Sequence, residues 1–225
     1  MWVHTKEGRE MRINYVDSIR NEFRSLKGRR VIRNGTIEIQ NAMFRVDAPT
    51  IFGERNEEYI TAELEWYKSQ SLNVNDLFDI YGSVVKIWDD VSDKDGYINS
   101  NYGWCIYSED NGRQYDMARA TLAVDPFSRQ ACMYYTNPDM HKQSVLNGRR
   151  DHMCTTHVQY FINNNYLHAE VNMRSNDAIF GFINDLAWQK HVLDELANDL
   201  NLQPGPITWH AGSLHIYDRH WDLII

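Results

Sequence analysis

Residues Asp151–Asp185 read DHMCTTHVQYFINNNYLHAEVNMRSNDAIFGFIND. Within this stretch Leu167, Ala169, Val171 and Met173 alternate with Tyr166, His168, Glu170 and Asn172. That period of two predicts a strand with one face in the core and one outside it. Val158–Ile162 supplies a partner strand, and Asn163-Asn164-Asn165 supplies the turn between them. A hairpin folded this way carries Cys154, ahead of its first strand, toward Arg174 at the end of its second. A thiol beside a guanidinium is expected to have a depressed pKa and to attack as thiolate. The stretch closes with Arg-Ser-Asn-Asp before a Gly-punctuated helix start.

The composition of the 225-residue chain, 43% hydrophobic and 24% charged, predicts one globular domain over residues 1–225 with room for a sizeable core. A net charge of −8 argues against a protein that coats nucleic acid electrostatically. One small anion held by a few arginines is compatible with it. No apolar run approaches a membrane span, and Met1–Arg9 lacks the apolar core of a signal peptide, so no membrane partner is expected. Cys105, Cys132 and Cys154 are odd in number and far apart, which fits a reducing cytoplasm better than a disulfide framework.

Around the hairpin, the spacing predicts helices over Met11–Lys27 (Ile13, Val16, Ile19, Phe23, Leu26, ending at Gly28), Asn56–Ser69, Gln114–Val124 and Leu186–Asn201. Strands are expected at Thr36–Gln40, within Asn41–Gly53, at Ala131–Thr136 and at Ile207–Tyr217. Gly96–Tyr107 reads as loop and short strand, and His141–Asp151 as a mobile loop. Helix and strand mix throughout, so the fold class is α/β (α+β). The Arg29–Gly35 turn is basic, and Arg33 beside its glycine is a candidate anion ligand. Glu63 falls inside the apolar stripe of Tyr59, Ile60, Leu64 and Tyr67. A carboxylate there is costly unless it is bonded in the core or lines a site. Zinc on His152, Cys154 and His157 is disfavoured because no second ligand pair accompanies them.

Several motifs occur in an order that resembles the thymidylate synthase superfamily: MCTTHVQYFI, then NMRSNDAIFGF, then SLHIY. Cys154 with Gln159 five residues on, and Arg174-Ser175 with Asp177, match that family's catalytic Cys and Arg-Ser-x-Asp motifs. AELEW matches at Glu63, KIW at Trp88 and NYG at Tyr102. Within the superfamily the stretches ELEWYKSQSL, INSNYGW, VNMRSNDAIFGFIND and AWQK are similar to the bacteriophage deoxycytidylate (dCMP) 5-hydroxymethylases. The resemblance implies a mixed β-sheet packed with helices, a sheet face that forms a homodimer interface, and 5,10-methylenetetrahydrofolate as co-substrate without a metal.

It also implies roles. Cys154 adds to C6 of a pyrimidine nucleoside monophosphate, and C5 then attacks the one-carbon unit. Arg174 and Ser175 bind phosphate, and Arg129 reaches it from the partner subunit. Where many relatives place a second arginine next to it this chain has Gln130, a loss that Arg33 is expected to offset. His215 and Tyr217 hold the sugar 3′-hydroxyl, Asp177 bonds the pterin, and Trp88 and Tyr102 lie by the folate. Thymidylate synthases carry Asn where Asp185 stands. An amide matches uracil, whereas a carboxyl accepts from cytosine N4 and, protonated, donates to N3. Glu63 orders the water that completes hydroxymethylation. Thr155 replaces the family's His after the cysteine. The chain stops soon after the HxY strand, where relatives extend over the folate, so a shortened lid or a substitute loop is expected. Other readings stay open: dUMP or CMP as substrate, or a catalytically weak nucleotide- or RNA-binding homologue.

Overall fold

The computed structural model describes residues 2–4, 10–12, 14–30, 32, 33, 35–147 and 149–225. Ile13, Val31 and Asn34, used above, and residues 5–9 of the N-terminal stretch lie outside the described residues.

The Asp151–Asp185 stretch folds as its alternation requires. Strands β5 (Thr155–Asn163) and β6 (Tyr166–Met173) pair antiparallel from Asn163↔Tyr166 to Thr155↔Met173. Asn164 and Asn165 turn the hairpin at φ 50° and 67°, the left-handed pair a two-residue turn demands. Leu167, Ala169, Val171 and Met173 are buried, and Tyr166 is 48% exposed on the opposite face.

This hairpin is the middle of a six-stranded mixed sheet. It includes β3 (Thr36–Arg45), β4 (Cys132–Tyr134), β7 (Asn176–Asp177) and β8 (Gln203–Tyr217), in the order β3-β8-β6-β5-β4 with β7 beside β8. β6 and β8 run parallel, joined through helix α8 (Gly181–Asp199), which packs its buried Phe182, Ile183, Leu186, Trp188, Val192, Leu193 and Leu196 on the sheet and helices. β1 (Trp2–His4) and β2 (Glu10–Arg12) form a separate antiparallel pair.

Helices α1 (Val16–Arg29), α2 (Glu57–Ser69), α3 (Val74–Tyr81), α4 (Lys86–Val91), α5 (Tyr102–Tyr107), α6 (Gln114–Val124) and α7 (Asp139–Asn147) complete the chain, with 3-10 turns at Glu109–Asn111 and Asp218–Leu223. The α2 helix starts where Asn56 accepts from the Tyr59 N–H at 3.0 Å, with Glu57 and Glu58 at the positive end of the dipole. α6 stops at Asp125, ahead of Pro126, as its sequence demands.

Five expectations are corrected. The first helix begins at Val16, because Met11 belongs to β2, and it runs through Gly28 to Arg29. Strand β3 is continuous across Asn41, which takes φ 51° instead of ending the strand. Residues 139–147 are helical, not loop. The fourth concerns two starting points together: α8 begins five residues before Leu186, at Gly181, and β8 begins at Gln203, ahead of Ile207.

The fifth correction is α5, which occupies what reads as loop and strand. Asn101, fully buried, accepts from the Trp104 N–H at 2.8 Å and donates to the carbonyls of Trp66 (3.0 Å) and Ser71 (2.8 Å). One amide thus caps α5 and ties it to the end of α2. Gly103 follows because a Cβ there would overlap the Tyr67 carbonyl oxygen.

Three strands change phase at one level of the sheet. In β5 the register passes from Thr155↔Met173 to His157↔Asn172, leaving Thr156 as an extra residue. In β8 the buried set moves from Ile207, Trp209 and Ala211 to Leu214 and Ile216, the break falling at Gly212–Ser213. Opposite it, between the pairs Gln40↔Ser213 and Ala42↔Ala211, lies Asn41 of β3. Beside this break, Arg174 bonds through its backbone to both Cys154 and Ser213.

Candidate active site

Cys154 sits immediately before β5, and Arg174 immediately after β6. Their backbones are joined by the Arg174 N–H donating to the Cys154 carbonyl at 2.9 Å. The guanidinium donates to the carbonyls of Met153 (Nε, 2.9 Å) and His152 (Nη2, 2.6 Å), and Nη2 lies 3.8 Å from Cys154 Sγ. Gly212 makes room for this arrangement, since a Cβ there would come to 3.0 Å from the Arg174 carbonyl oxygen, which also accepts from the Ser213 N–H at 3.2 Å.

The expected depression of the thiol pKa does not occur. Burial, reinforced by the negative Asp185, pushes Cys154 up to about 11, and Arg174 offsets only part of this. Desolvation outweighs the guanidinium because the strongest hydrogen bonds of Arg174 go to main-chain carbonyls.

Asp185, in the second turn of α8, has both oxygens engaged. Oδ1 accepts from the Tyr102 hydroxyl at 3.0 Å and Oδ2 from the Asn176 amide at 2.8 Å. Thr155 Oγ1, fully buried, donates to the same Tyr102 oxygen at 3.1 Å. Burial and the nearby Glu63 carboxylate push Asp185 up to about 7, opposed by the Tyr102 and Asn176 bonds. Asp185 is therefore partly protonated at neutral pH, which lets it both donate and accept. Tyr102, 4% exposed and stacked on Tyr67, donates its hydroxyl to this carboxyl.

Glu63 is 5% exposed on α2. Its Oε1 accepts from the Tyr59 hydroxyl at 2.5 Å and from Trp88 Nε1 at 3.2 Å, and Trp88 Nε1 also lies 3.0 Å from the Tyr59 oxygen. Desolvation pushes Glu63 up to about 7, held back by Tyr59, Trp88 and Tyr67. The stripe reading was right about Glu63 and incomplete about its neighbours, since Trp66 and Ala62 are buried while Tyr59 and Leu64 are only partly so.

On β8, Ser213, His215 and Tyr217 share one face, with the His215 and Tyr217 rings edge to face at 4.9 Å. His215 stands in register with Glu38 of β3 and Asp177 of β7. Arg33 reaches Glu38 at 3.5 Å, and Glu38 is held below its usual range by Ser213 and by Arg33. The turn that sends Arg33 back over β3 is closed by reciprocal bonds with Thr36. Arg33 thus lies on the strand pair that carries His215. Ser175 is half-buried next to Arg174.

Two expected site residues are engaged elsewhere. Gln159 faces away from Cys154, its amide donating to the Arg129 carbonyl at 2.9 Å, and the Arg129 side chain is exposed. Asp177 accepts from the backbone N–H groups of Ile179 (3.2 Å), Phe180 (3.1 Å) and Gly181 (3.4 Å), closing the turn into α8.

Three contributors escaped the sequence reading. Tyr59 was read as packing, although it stands one helical turn before Glu63. Asn176 sits unremarked inside the Arg-Ser-x-Asp motif. Asp151, 6% exposed, accepts from the N–H of Ser100 (2.8 Å), its hydroxyl (2.8 Å) and the N–H of Asn99 (2.5 Å). It pins the turn that leads into Tyr102 to the strand that carries Cys154, and no spacing rule predicts such a contact. Among the described residues, no group of three His, Cys, Asp or Glu side chains is placed to hold a metal.

A partly buried thiol with a guanidinium 3.8 Å away, and two carboxyls whose pKa burial raises to about 7, make a site equipped for nucleophilic and acid–base chemistry. The thymidylate synthase family model matches residues 16–225, and the chain belongs to that family. The deoxycytidylate 5-hydroxymethyltransferase of Enterobacteria phage T4 is 53% identical over 196 residues, 84% of this chain and 78% of the relative. The thymidylate synthase of Fusobacterium nucleatum is 30% identical over 166 residues, 72% of this chain and 58% of the relative. Among solved structures, the thermostable thymidylate synthase A from Bacillus subtilis superposes with a TM-score of 0.65 at 26% identity, covering 83% of this chain and 68% of the other.

Proposed function

We propose that this protein is a deoxycytidylate 5-hydroxymethyltransferase. As a single catalytic domain it converts dCMP, 5,10-methylenetetrahydrofolate and water to 5-hydroxymethyl-dCMP and tetrahydrofolate. The observation that carries this reading is Asp185, a carboxyl near neutrality held between Tyr102 and Asn176 beside Cys154. Its ionised oxygen accepts from cytosine N4, and its proton, or one on the base, completes the bond at N3. Uracil offers the reverse pattern, and the ionised carboxylate has no proton to donate to its O4.

The folate supplies a one-carbon unit at the oxidation level of formaldehyde. The residues present fit such a group: the half-buried Trp88 ring borders Glu63, and Asp177 keeps acceptor capacity beyond its three backbone bonds. Arg174 and Ser175, joined by Arg33, suit the phosphate, and His215 and Tyr217 suit the sugar. Cys154 adds to C6 of the ring, which makes C5 a nucleophile. After carbon transfer, C5 loses its proton as the bond from the transferred carbon to the folate nitrogen breaks and tetrahydrofolate departs, which leaves an exocyclic methylene on C5. Water adds to that carbon, Glu63 takes the proton released, and the thiolate leaves C6. Gln159 steadies the segment that carries Arg129, whose exposed guanidinium suits a phosphate in the partner subunit of a homodimer. No helix among the described residues is long and apolar enough to cross a membrane, and we place the enzyme in the cytoplasm, that of the host if the chain is viral.

The test is turnover with methylenetetrahydrofolate and dCMP, dUMP or CMP offered separately, with products weighed. A hydroxymethyl product from dCMP is expected. A methyl product from dUMP would make the protein a thymidylate synthase in activity, and binding without product would make it a nucleotide-binding homologue.

A further inference from the structure

Glu63 does not stand alone in its pocket. Its Oε1 is the meeting point of the Tyr59 hydroxyl and the Trp88 N–H, and these two donors also lie within hydrogen-bond distance of each other, so the three side chains form a closed triangle. Each corner comes from a braced element. Tyr59 is one turn before Glu63 on α2, and its ring packs edge to face on Tyr81 of α3 at 5.2 Å. Trp88, on α4, packs edge to face on the fully buried Trp66 at 5.1 Å. Nothing in the nucleotide or folate chemistry calls for a phenol at position 59. Among the described residues its hydroxyl bonds to the carboxylate and the indole, and burial with Glu63 alongside holds the phenol far above its usual pKa, so it stays a donor.

We propose that Tyr59 is a positioning residue for the reaction, acting through Glu63: its hydroxyl fixes one carboxylate oxygen against Trp88 so that the other is presented to water at the C5 substituent. This rests on the role given to Glu63 above. A buried carboxylate with one charge-assisted hydrogen bond removed loses both its preferred rotamer and part of what stabilises its ionised form. The groups facing Glu63 are Tyr59 and Tyr67 from its own helix, Trp88 from α4 and Asp185 from α8. Of these, only Asp185 titrates in the same range as Glu63. Its tie to Tyr102 and Asn176 does not involve Tyr59, so removing the phenol hydroxyl acts on Glu63 first.

The experiment compares wild type, Tyr59→Phe, Glu63→Gln and the double variant. Tyr59→Phe is expected to lower kcat by about ten- to hundredfold while KM for the nucleotide stays within about twofold. It also moves the acidic limb of the kcat profile to higher pH, because the lost bond favoured the carboxylate. In the Glu63→Gln background the same change should cost little further. An unmoved limb, or an equal loss in both backgrounds, would show that Tyr59 only packs. A second reading uses no turnover: the Glu63 carboxyl, followed by carbon NMR in labelled protein, should titrate at higher pH in Tyr59→Phe. If wild type makes no hydroxymethylated product but this titration still shifts, the proposed function fails and the coupling of Tyr59 to Glu63 stands. If the titration is unchanged, the coupling itself is wrong.

Discussion

Arg174 Nη2 lies 3.8 Å from Cys154 Sγ, and the thiol next to this guanidinium is nevertheless pushed up to about 11. The Cys154 thiol is therefore protonated, with on the order of one in ten thousand ionised at pH 7. Burial is the main cause and Asp185 the next, while Arg174 pulls the other way. A mobile guanidinium in water would do less still, because solvent screens it.

The two charges make opposite predictions for thiol reactivity. Asp185→Asn removes the repulsion and should speed alkylation of Cys154 by iodoacetamide at pH 8 by roughly tenfold, through a larger thiolate fraction. Arg174→Ala should slow it. Rates that move in the same direction in both variants would mean that access, not charge, controls this cysteine.

Glu63 gives a pH dependence of stability with a definite sign. Its carboxyl lies at about 7 in the folded protein against 4.5 for a free one, so folding takes up a proton between those values. Stability falls as pH rises through that window, and the full penalty, on the order of 3 kcal/mol, is present above it. Glu63→Gln removes the penalty while keeping an acceptor for Tyr59. It should raise Tm at pH 8 by on the order of 5 °C, with the gain vanishing near pH 4.5. A gain that is the same at both pH values would point to packing instead of charge.

The parts of this molecule that were legible in advance are those encoded by period or by motif. The β5–β6 alternation, Asn56 as a helix start and the stop before Pro126 all act through neighbours in sequence. The triangle at Glu63 depends on α4 meeting α2, and the Asp151 bonds to Asn99 and Ser100 span about fifty positions. Neither leaves a local trace. α5 was hidden because its cap, Asn101, sits in an Asn- and Gly-rich run that favours loops, and tertiary bonds to Trp66 and Ser71 decide the matter. The depressed thiol was expected from a pair of residues when the answer depended on how much water surrounds them.

The proposed function assigns base choice to Asp185, a carboxyl with both oxygens already bonded. Asp185→Asn replaces an acceptor and its proton with one acceptor and one donor, which Asn176 and Tyr102 must share. The amide should then favour uracil. The ratio of kcat/KM for dCMP over dUMP is expected to fall by roughly ten- to hundredfold, in line with the worth of a bidentate base contact. An unchanged ratio would take base recognition away from this residue.

Among the glycines that touch backbone carbonyls, Gly103 and Gly212 separate folding from function. Gly103→Ala drives a Cβ into the Tyr67 carbonyl, between α2 and α5, where neither helix can yield, so soluble protein should be lost. At Gly212 the added Cβ meets the Arg174 carbonyl at 3.0 Å, a contact the end of β6 can relieve by a shift of a few tenths of an ångström. That shift moves Arg174, to which the proposed function assigns the phosphate. Gly212→Ala should therefore fold, lose little Tm, and bind dCMP about tenfold more weakly by calorimetry, a change of about 1.4 kcal/mol. Deoxycytidine, which lacks the phosphate, should lose much less. Equal weakening for both ligands would show that the kink in β8, and not the placement of Arg174, is what the glycine protects.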